Sequence, residues 1–363
     1  MRHSANLDIL RSFAVSAVLI DHLVPTIQAH AGFNNHAIIA FTAQIGHAGV
    51  LAFFVHTSLV LMYSLERIHE KFNAVTSCFY IRRFFRIYPL TIFSIALALL
   101  LHIPSSTWSA PFHITPAITL ANVLLVQNIF TKKDVLVPLW SLPYEVQMYL
   151  VLPAIFLLAR RLKGVYWIAF LIVLSCLAGL LLGYKTGHLN LAAYVPCFLS
   201  GVLCYSLRDR IRQTIPAALW SPFLILIISI FCLNNIDSGR TWLTKTPTFW
   251  SGWIFSLVLS LAISNFRDSR AALPNFVAKK TALYSYGIYL LHVPVMYLIF
   301  IRLNIQNLYF SVPLFVFLTV AASIATFHTI ESPFIQLGLR LSSGGLLLKA
   351  VPHPEVQPAV SVP

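Results

Sequence analysis

A chain of 363 residues of which 58% are hydrophobic and only 10% charged, against about 25% charged in an ordinary soluble domain, cannot hide its apolar surface inside a water-soluble globule. The formal net charge of +14 points to nucleic acid only if the positive residues gather in one patch. They do not, so nucleic-acid binding is excluded and the solvent to reason with is the lipid bilayer.

Apolar runs long enough to cross a bilayer recur along the chain, and they predict an all-α, polytopic bundle of about ten transmembrane helices. The predicted spans are 8–27, 45–65, 87–103, 142–159, 165–184, 191–207, 217–235, 249–266, 282–301 and 309–330. Asp8 and Arg11 interrupt the first run and no small-residue cleavage site follows it, so it reads as a helix and not as a signal peptide. Residues 1–340 form the transmembrane domain. The residues from 341 onward, with Pro352, Pro354, Pro358 and Pro363, read as a disordered cytoplasmic tail.

Cytoplasmic loops of membrane proteins carry the excess of Lys and Arg. Here 19 of the 25 fall in alternate loops, among them Arg67, Arg82, Arg83, Arg86, Arg160, Arg161, Arg208, Arg210, Lys279 and Lys280. The other loops hold Lys132, Lys133, Lys185, Arg240, Lys245 and Arg302. The alternation supports an even number of spans with both termini in the cytoplasm. Five scattered cysteines show no metal-ligand spacing and read as packing residues.

Ionisable residues inside spans are costly unless they face a cavity or a partner. In the first span Arg11 and His22 lie about 16 Å apart along the helix axis and about three turns apart, which places both on one face, toward one common cavity. Asp8 can pair with Arg11 at i,i+3. Asp21, next to His22, does not face it, so a carboxylate orienting His22 is expected from another helix. Taken alone, His22 reads as a structural histidine bonded between helices, and the residues that accompany it are what make it a candidate for chemistry.

Leading into the third span stands Arg82-Arg83-x-x-Arg86-Ile87-Tyr88-Pro89. Three arginines suit a cytoplasmic boundary, yet Arg83 and Arg86 share a face, and guanidinium groups grip phosphates in two-pronged fashion. Before the fourth span stands Trp140-Ser141-Leu142-Pro143-Tyr144-Glu145-Val146-Gln147-Met148-Tyr149. Pro143 and Glu145 fit an ordinary first helical turn, while Trp140 and Tyr149 at an outer boundary can contact a sugar or form an interface belt. The ninth span carries Tyr289-Leu290-Leu291-His292, and the tenth ends with His328 and Glu331, each readable as interhelical glue.

These residues resemble acyltransferase family 3, integral membrane acyltransferases. The resemblance rests on Arg11-x10-His22, Arg83-x-x-Arg86, Trp140-Ser141-Leu142-x-x-Glu145 leading to Tyr149, and Tyr289-Leu290-Leu291-His292, in the family's order and over essentially the whole chain. After Val55 this chain reads His56-Thr57-Ser58 where the family commonly has Ser-Gly, and no hydrolase-like soluble domain is expected after the last helix.

The resemblance implies an O-acyltransferase that moves an acyl group, usually acetyl, from cytosolic acyl-CoA to a hydroxyl of an extracytoplasmic carbohydrate or glycolipid, in a bacterial inner membrane. It makes His22 the catalytic histidine and Arg82, Arg83 and Arg86 the donor-binding side. Glu145 is then the orienter of His22 or an acceptor contact, Arg11 and His292 are supporting residues, and Trp140 and Tyr149 are acceptor contacts. Acyl-CoA is a co-substrate, with no bound cofactor and no metal. A multi-pass transporter of a polar or anionic solute is the rival reading, because it too lines a path with charge.

Overall fold

The computed structural model describes residues 4–72, 74–104, 113–162, 164–186, 191–211, 213–235 and 242–343, and no β-strand forms among them. The expected tail from 344 onward lies outside them, as do Arg2, Lys163, Arg212, Arg240 and Lys349 of the charge pattern.

The main helices are α1 (Ala5–His30), α2 (His36–Lys71) and α3 (Val75–Leu100), followed by the short α4 (Pro116–Val123) and α5 (Gln127–Phe130). A 3-10 turn, Val137–Trp140, leads into α6 (Leu142–Arg161), then α7 (Tyr166–Thr186), α8 (Leu191–Leu207), α9 (Trp220–Asn235) and α10 (Trp242–Asn265). The last part of the chain holds α11 (Ala272–Met296), a π-helical stretch Tyr297–Arg302, α12 (Leu308–Thr326), a second π turn Phe327–Glu331 and α13 (Ser332–Ser342).

The predicted bundle is present, with each predicted span falling on one of α1–α3 or α6–α12. Six helical segments are long and apolar enough to cross a bilayer, and parts of α7, α8 and α10 are shorter apolar helices. Helix α1, with Asp8, Arg11 and Asp21, is not among these, and it is sheltered by packing chiefly on α2 and α11. Several helices outrun their predicted spans, since a helix persists into the headgroup layer after its apolar run has ended. Helix α2, with 36 residues, is about 54 Å long and exceeds the whole bilayer thickness of about 45 Å, so its last turns with Glu66, Arg67 and Lys71 stand clear of the hydrocarbon.

Helix ends and contacts follow from identifiable side chains. The first turn of α1 is capped from far along the chain: Asp268 accepts from the Ser4 hydroxyl (2.9 Å) and the Ala5 and Asn6 backbone N–H groups (3.1 and 3.0 Å), a carboxylate at the positive end of a helix. Asn35 caps α2 by accepting from Ala37 and Ile38. Outward-facing side chains are apolar, as with Phe170 on α7, Ile225 on α9 and Phe317 on α12, the inverse of a soluble surface and the pattern expected of lipid-facing helices.

Where helices touch, small residues let backbones approach. A Cβ at Gly49 would lie 2.7 Å from the Ala14 carbonyl oxygen of α1, and one at Gly201 of α8 would collide with Ser58 and the Val55 carbonyl of α2. Ser58, at the departure from the family pattern, is buried against this glycine and bonds back to the Phe54 carbonyl (2.9 Å). Gly201→Val is therefore expected to part α2 from α8 at a cost of about 1–3 kcal/mol. The check is a melting temperature in detergent several degrees below that of Gly252→Ala, whose added methyl would meet only the flexible end of Leu51 at 3.1 Å.

Candidate active site

Two cavities lie toward opposite ends of the bundle. One, about 780 Å³ including the space open to solvent, is lined by Arg11, His56, Thr57, Arg83, Arg86, Glu145, Tyr149, Ser285, Tyr286 and Tyr289 together with apolar side chains of α2. It adjoins a vestibule lined by Ser64, Arg67, Arg82, Arg83, Arg86, Ile335 and Leu339, the last two from α13. The vestibule residues sit near the end of α2, in the first half of α3 and on α13, hence at one end of the membrane, and the central cavity runs from there to the middle of α11 at Ser285. The second cavity is lined by His22, Thr26, Ile103, Pro104, Val137, Val293, Met296, Tyr297 and Ile301, toward the other end.

Polar side chains of the central cavity answer one another across helices. The Arg11 Nε donates to Ser285 Oγ of α11 (2.7 Å). Arg86 Nη1 donates to Glu331 Oε2 (2.8 Å). The Tyr149 hydroxyl donates to Glu145 one turn earlier on α6, and Arg82 Nε donates to Ser342 Oγ of α13 (2.8 Å) while its guanidinium lies over the Phe72 ring. Three guanidinium groups, those of Arg11, Arg83 and Arg86, face the carboxylates of Glu145 and Glu331. One positive charge is left in excess, so the cavity favours an anion. Among the described residues no cluster of three His, Cys, Asp or Glu side chains gathers that could hold a metal ion.

His22 is partnered by His292. The His22 Nδ1 and His292 Nε2 atoms are 2.7 Å apart, and the ring planes differ by 9° with centroids 5.0 Å apart. That is the geometry of two rings meeting edge to edge along a hydrogen bond. His292 Nδ1 lies 3.0 Å from the Ile288 carbonyl oxygen, which can only accept, so the proton of a neutral His292 sits on Nδ1. Its Nε2 must then accept, and His22 must donate from Nδ1. His22 Nε2 is left with a lone pair on the side of the second cavity, and its nearest carboxylate, Asp21, is 3.9 Å away, too far for a hydrogen bond.

The wall between the cavities is built from the 3-10 turn and one tyrosine. Tyr289 donates to the Pro138 carbonyl (2.9 Å), so in its 2.8 Å contact with Ser141 the serine hydroxyl is the donor. The turn is fixed from behind. Asn122 of α4 accepts from Val135 N (3.0 Å) and donates to the Lys133 carbonyl (2.8 Å), and Gln127 of α5 donates to the Leu139 carbonyl (3.0 Å). Val137 of this turn lines the His22 cavity, and Ser141 just after it lines the central one.

Several expectations from sequence are relocated by this wall. Arg11 and His22 do not share a cavity, because the 16 Å between them spans the partition. Glu145 lies with Tyr149, Thr57 and Arg83, and His292, not a carboxylate, orients His22. Tyr149 is eight residues past Ser141, about 12 Å along α6, and so sits in the central cavity and not at the outer boundary. Trp140 packs with His47, Tyr144 and Tyr194. Sequence reasoning passed over His56, Thr57, Ser285 and Tyr286 as cavity residues. The one available signal for them was polar character inside otherwise apolar runs.

The proton assignment is checked by nitrogen NMR of histidine-labelled protein with His22→Gln and His292→Gln as assignment controls. His22 and His292 are both expected as the Nδ1–H tautomer, the minor form of free histidine, and finding His22 protonated on Nε2 would reverse the relay.

No curated protein and no solved structure matches the chain. The acyltransferase domain family matches over residues 4–328, almost the entire helical bundle just described, and the chain therefore belongs to that family, acyltransferase family 3.

Proposed function

We propose that this membrane acyltransferase is an O-acetyltransferase that takes its acyl group from cytosolic acetyl-CoA and delivers it to a hydroxyl of an extracytoplasmic or surface carbohydrate. The observation that carries the reading is His22, bonded to His292 through Nδ1 and lining a cavity on the far side of a wall from a cluster of arginines. An acyl-CoA carries its phosphates at one end and its thioester at the other. The vestibule arginines Arg67, Arg82 and Arg83 suit the phosphates, and the apolar walls of the central cavity suit the pantetheine arm that leads toward His22.

In this reading His22 Nε2 removes the proton from the acceptor hydroxyl as its oxygen attacks the thioester carbonyl. The tetrahedral adduct collapses by breaking the C–S bond, and the imidazolium returns the proton to the departing CoA thiolate. While His22 carries the extra proton, its Nδ1–H remains bonded to His292, whose own Nδ1–H is bonded to the Ile288 carbonyl. The chain of dipoles spreads the charge as a carboxylate does in a serine-protease triad, with less electrostatic force. The same lone pair can instead attack the thioester to give an acyl-imidazole, which the acceptor hydroxyl then opens. Both routes need Nε2 unprotonated.

The loop charge asymmetry supports a bacterial inner-membrane orientation with both termini and the arginine vestibule on the cytoplasmic side. Reporter fusions after residue 343 and within 113–115 are expected to report cytoplasm and exterior respectively. For the chemistry, labelled acetyl-CoA is supplied to cells or vesicles at matched protein levels. His22→Ala is expected to lower transfer to surface glycan by about 10²–10⁴-fold, and Arg83→Ala to raise the KM for acetyl-CoA. Undiminished labelling with His22→Ala would remove the histidine from the reaction.

A further inference from the structure

The arginines of Arg83-x-x-Arg86 look interchangeable in sequence, one turn apart on one helix face. Their surroundings differ. Both line the vestibule and the central cavity, so together they form the neck between the two. Arg86 is already engaged: Nη1 donates to Glu331 Oε2 at 2.8 Å, and the Glu331 side chain has no exposure to solvent. Its guanidinium also stands 5.7 Å over the Tyr286 ring, whose hydroxyl is anchored on the Ile87 carbonyl (3.0 Å). Among the described residues no carboxylate lies within ion-pair distance of Arg83, and its Nε is buried without a hydrogen-bond partner.

Glu331 cannot readily release Arg86. It belongs to a π turn, Phe327–Glu331, a distortion that recurs where a helix must re-aim a functional side chain. Its Oε1 is buried with no hydrogen bond of its own, so among the described residues Arg86 is the one that pairs with it. An incoming phosphate that drew Arg86 away would strand a buried carboxylate, the most unfavourable way to break such a pair.

We infer that the two arginines have different tasks: Arg83 is the phosphate-binding residue at the neck, and Arg86 is a positioning residue that, locked to Glu331, ties α3 to α12 and holds the neck in shape. The identity of the anion as the phosphate-bearing acyl donor rests on the reading above. The division of labour rests on the pairing itself.

The experiment uses the full chain purified in detergent, with melting temperature in the absence and presence of CoA, and KM and kcat for acetyl-CoA. Arg83→Gln is expected to keep the unliganded melting temperature, lose the CoA-induced rise and raise KM at least about tenfold. Arg86→Gln and Glu331→Gln are each expected to lower the unliganded melting temperature and kcat. The double variant Arg86→Gln/Glu331→Gln should be no worse than either single, as coupled partners require, and Arg86→Lys, which keeps the ion pair, should restore both readouts even if the glutamine variants fold poorly. Tighter CoA binding by Glu331→Gln, or additive losses in the double variant, would overturn the inference, since Arg86 would then be a phosphate ligand that Glu331 merely restrains. Wild type that gains nothing from CoA would instead overturn the donor reading, while the additivity of the unliganded melting temperatures would still decide whether Arg86 acts through Glu331.

Discussion

A charged side chain inside a lipid-embedded bundle has to be answered by another helix, and the layout of this protein around its central cavity follows from that requirement. Arg11 on α1 is met by Ser285 on α11, Arg86 on α3 by Glu331 at the end of α12, and Arg82 by Ser342 on α13. Each bond joins an early helix to a late one across 245 to 274 residues of sequence. The N- and C-terminal thirds of the chain are thereby tied around one polar space, with α2 as the apolar axis against which α1, α8, α9 and α10 pack.

The same requirement explains which parts were legible in the sequence. Each long helix advertises itself through an apolar run, because lipid and protein neighbours both demand one, and the predicted spans accordingly fall on helices. The short α4 and α5 carry no such run, yet they hold the 3-10 turn in place through Asn122 and Gln127. Motif residues were legible as types at spacings: Arg11 and His22 on one face, Arg83 and Arg86 one turn apart. Their partners were not. Nothing local connects Arg86 to Glu331, or Tyr289 to Pro138 across 151 residues, and without Tyr289 in place a shared face on α1 looks like a shared cavity.

His22 and His292 show what such a long-range pairing adds to a motif. An isolated imidazole interconverts between two tautomers and offers its lone pair on either nitrogen. The Ile288 carbonyl, an acceptor without alternative, fixes the proton of His292, and His292 fixes that of His22. A backbone atom one turn away on α11 therefore decides which nitrogen of α1 is basic. Changing the ring orientation of His292 would alter the chemistry available at His22 without touching it.

The wall of Tyr289 and residues 137–141 has a consequence for the direction of the reaction. The proposed thioester donor, in contact with water on both sides of a membrane, would be lost to hydrolysis, so the proposed transfer across the bilayer needs its donor and acceptor spaces separated until both are filled. Tyr289 is suited to this task because its hydroxyl is bonded twice, accepting from Ser141 and donating to Pro138, which holds a large ring across the passage while its far edge lies near His292. The hydrogen bonds that close the wall belong to the turn that lines both cavities. Filling either cavity thus acts on neighbouring residues of one segment, and the wall and the His22–His292 pair are coupled through Tyr289 and His292 on adjacent turns of α11.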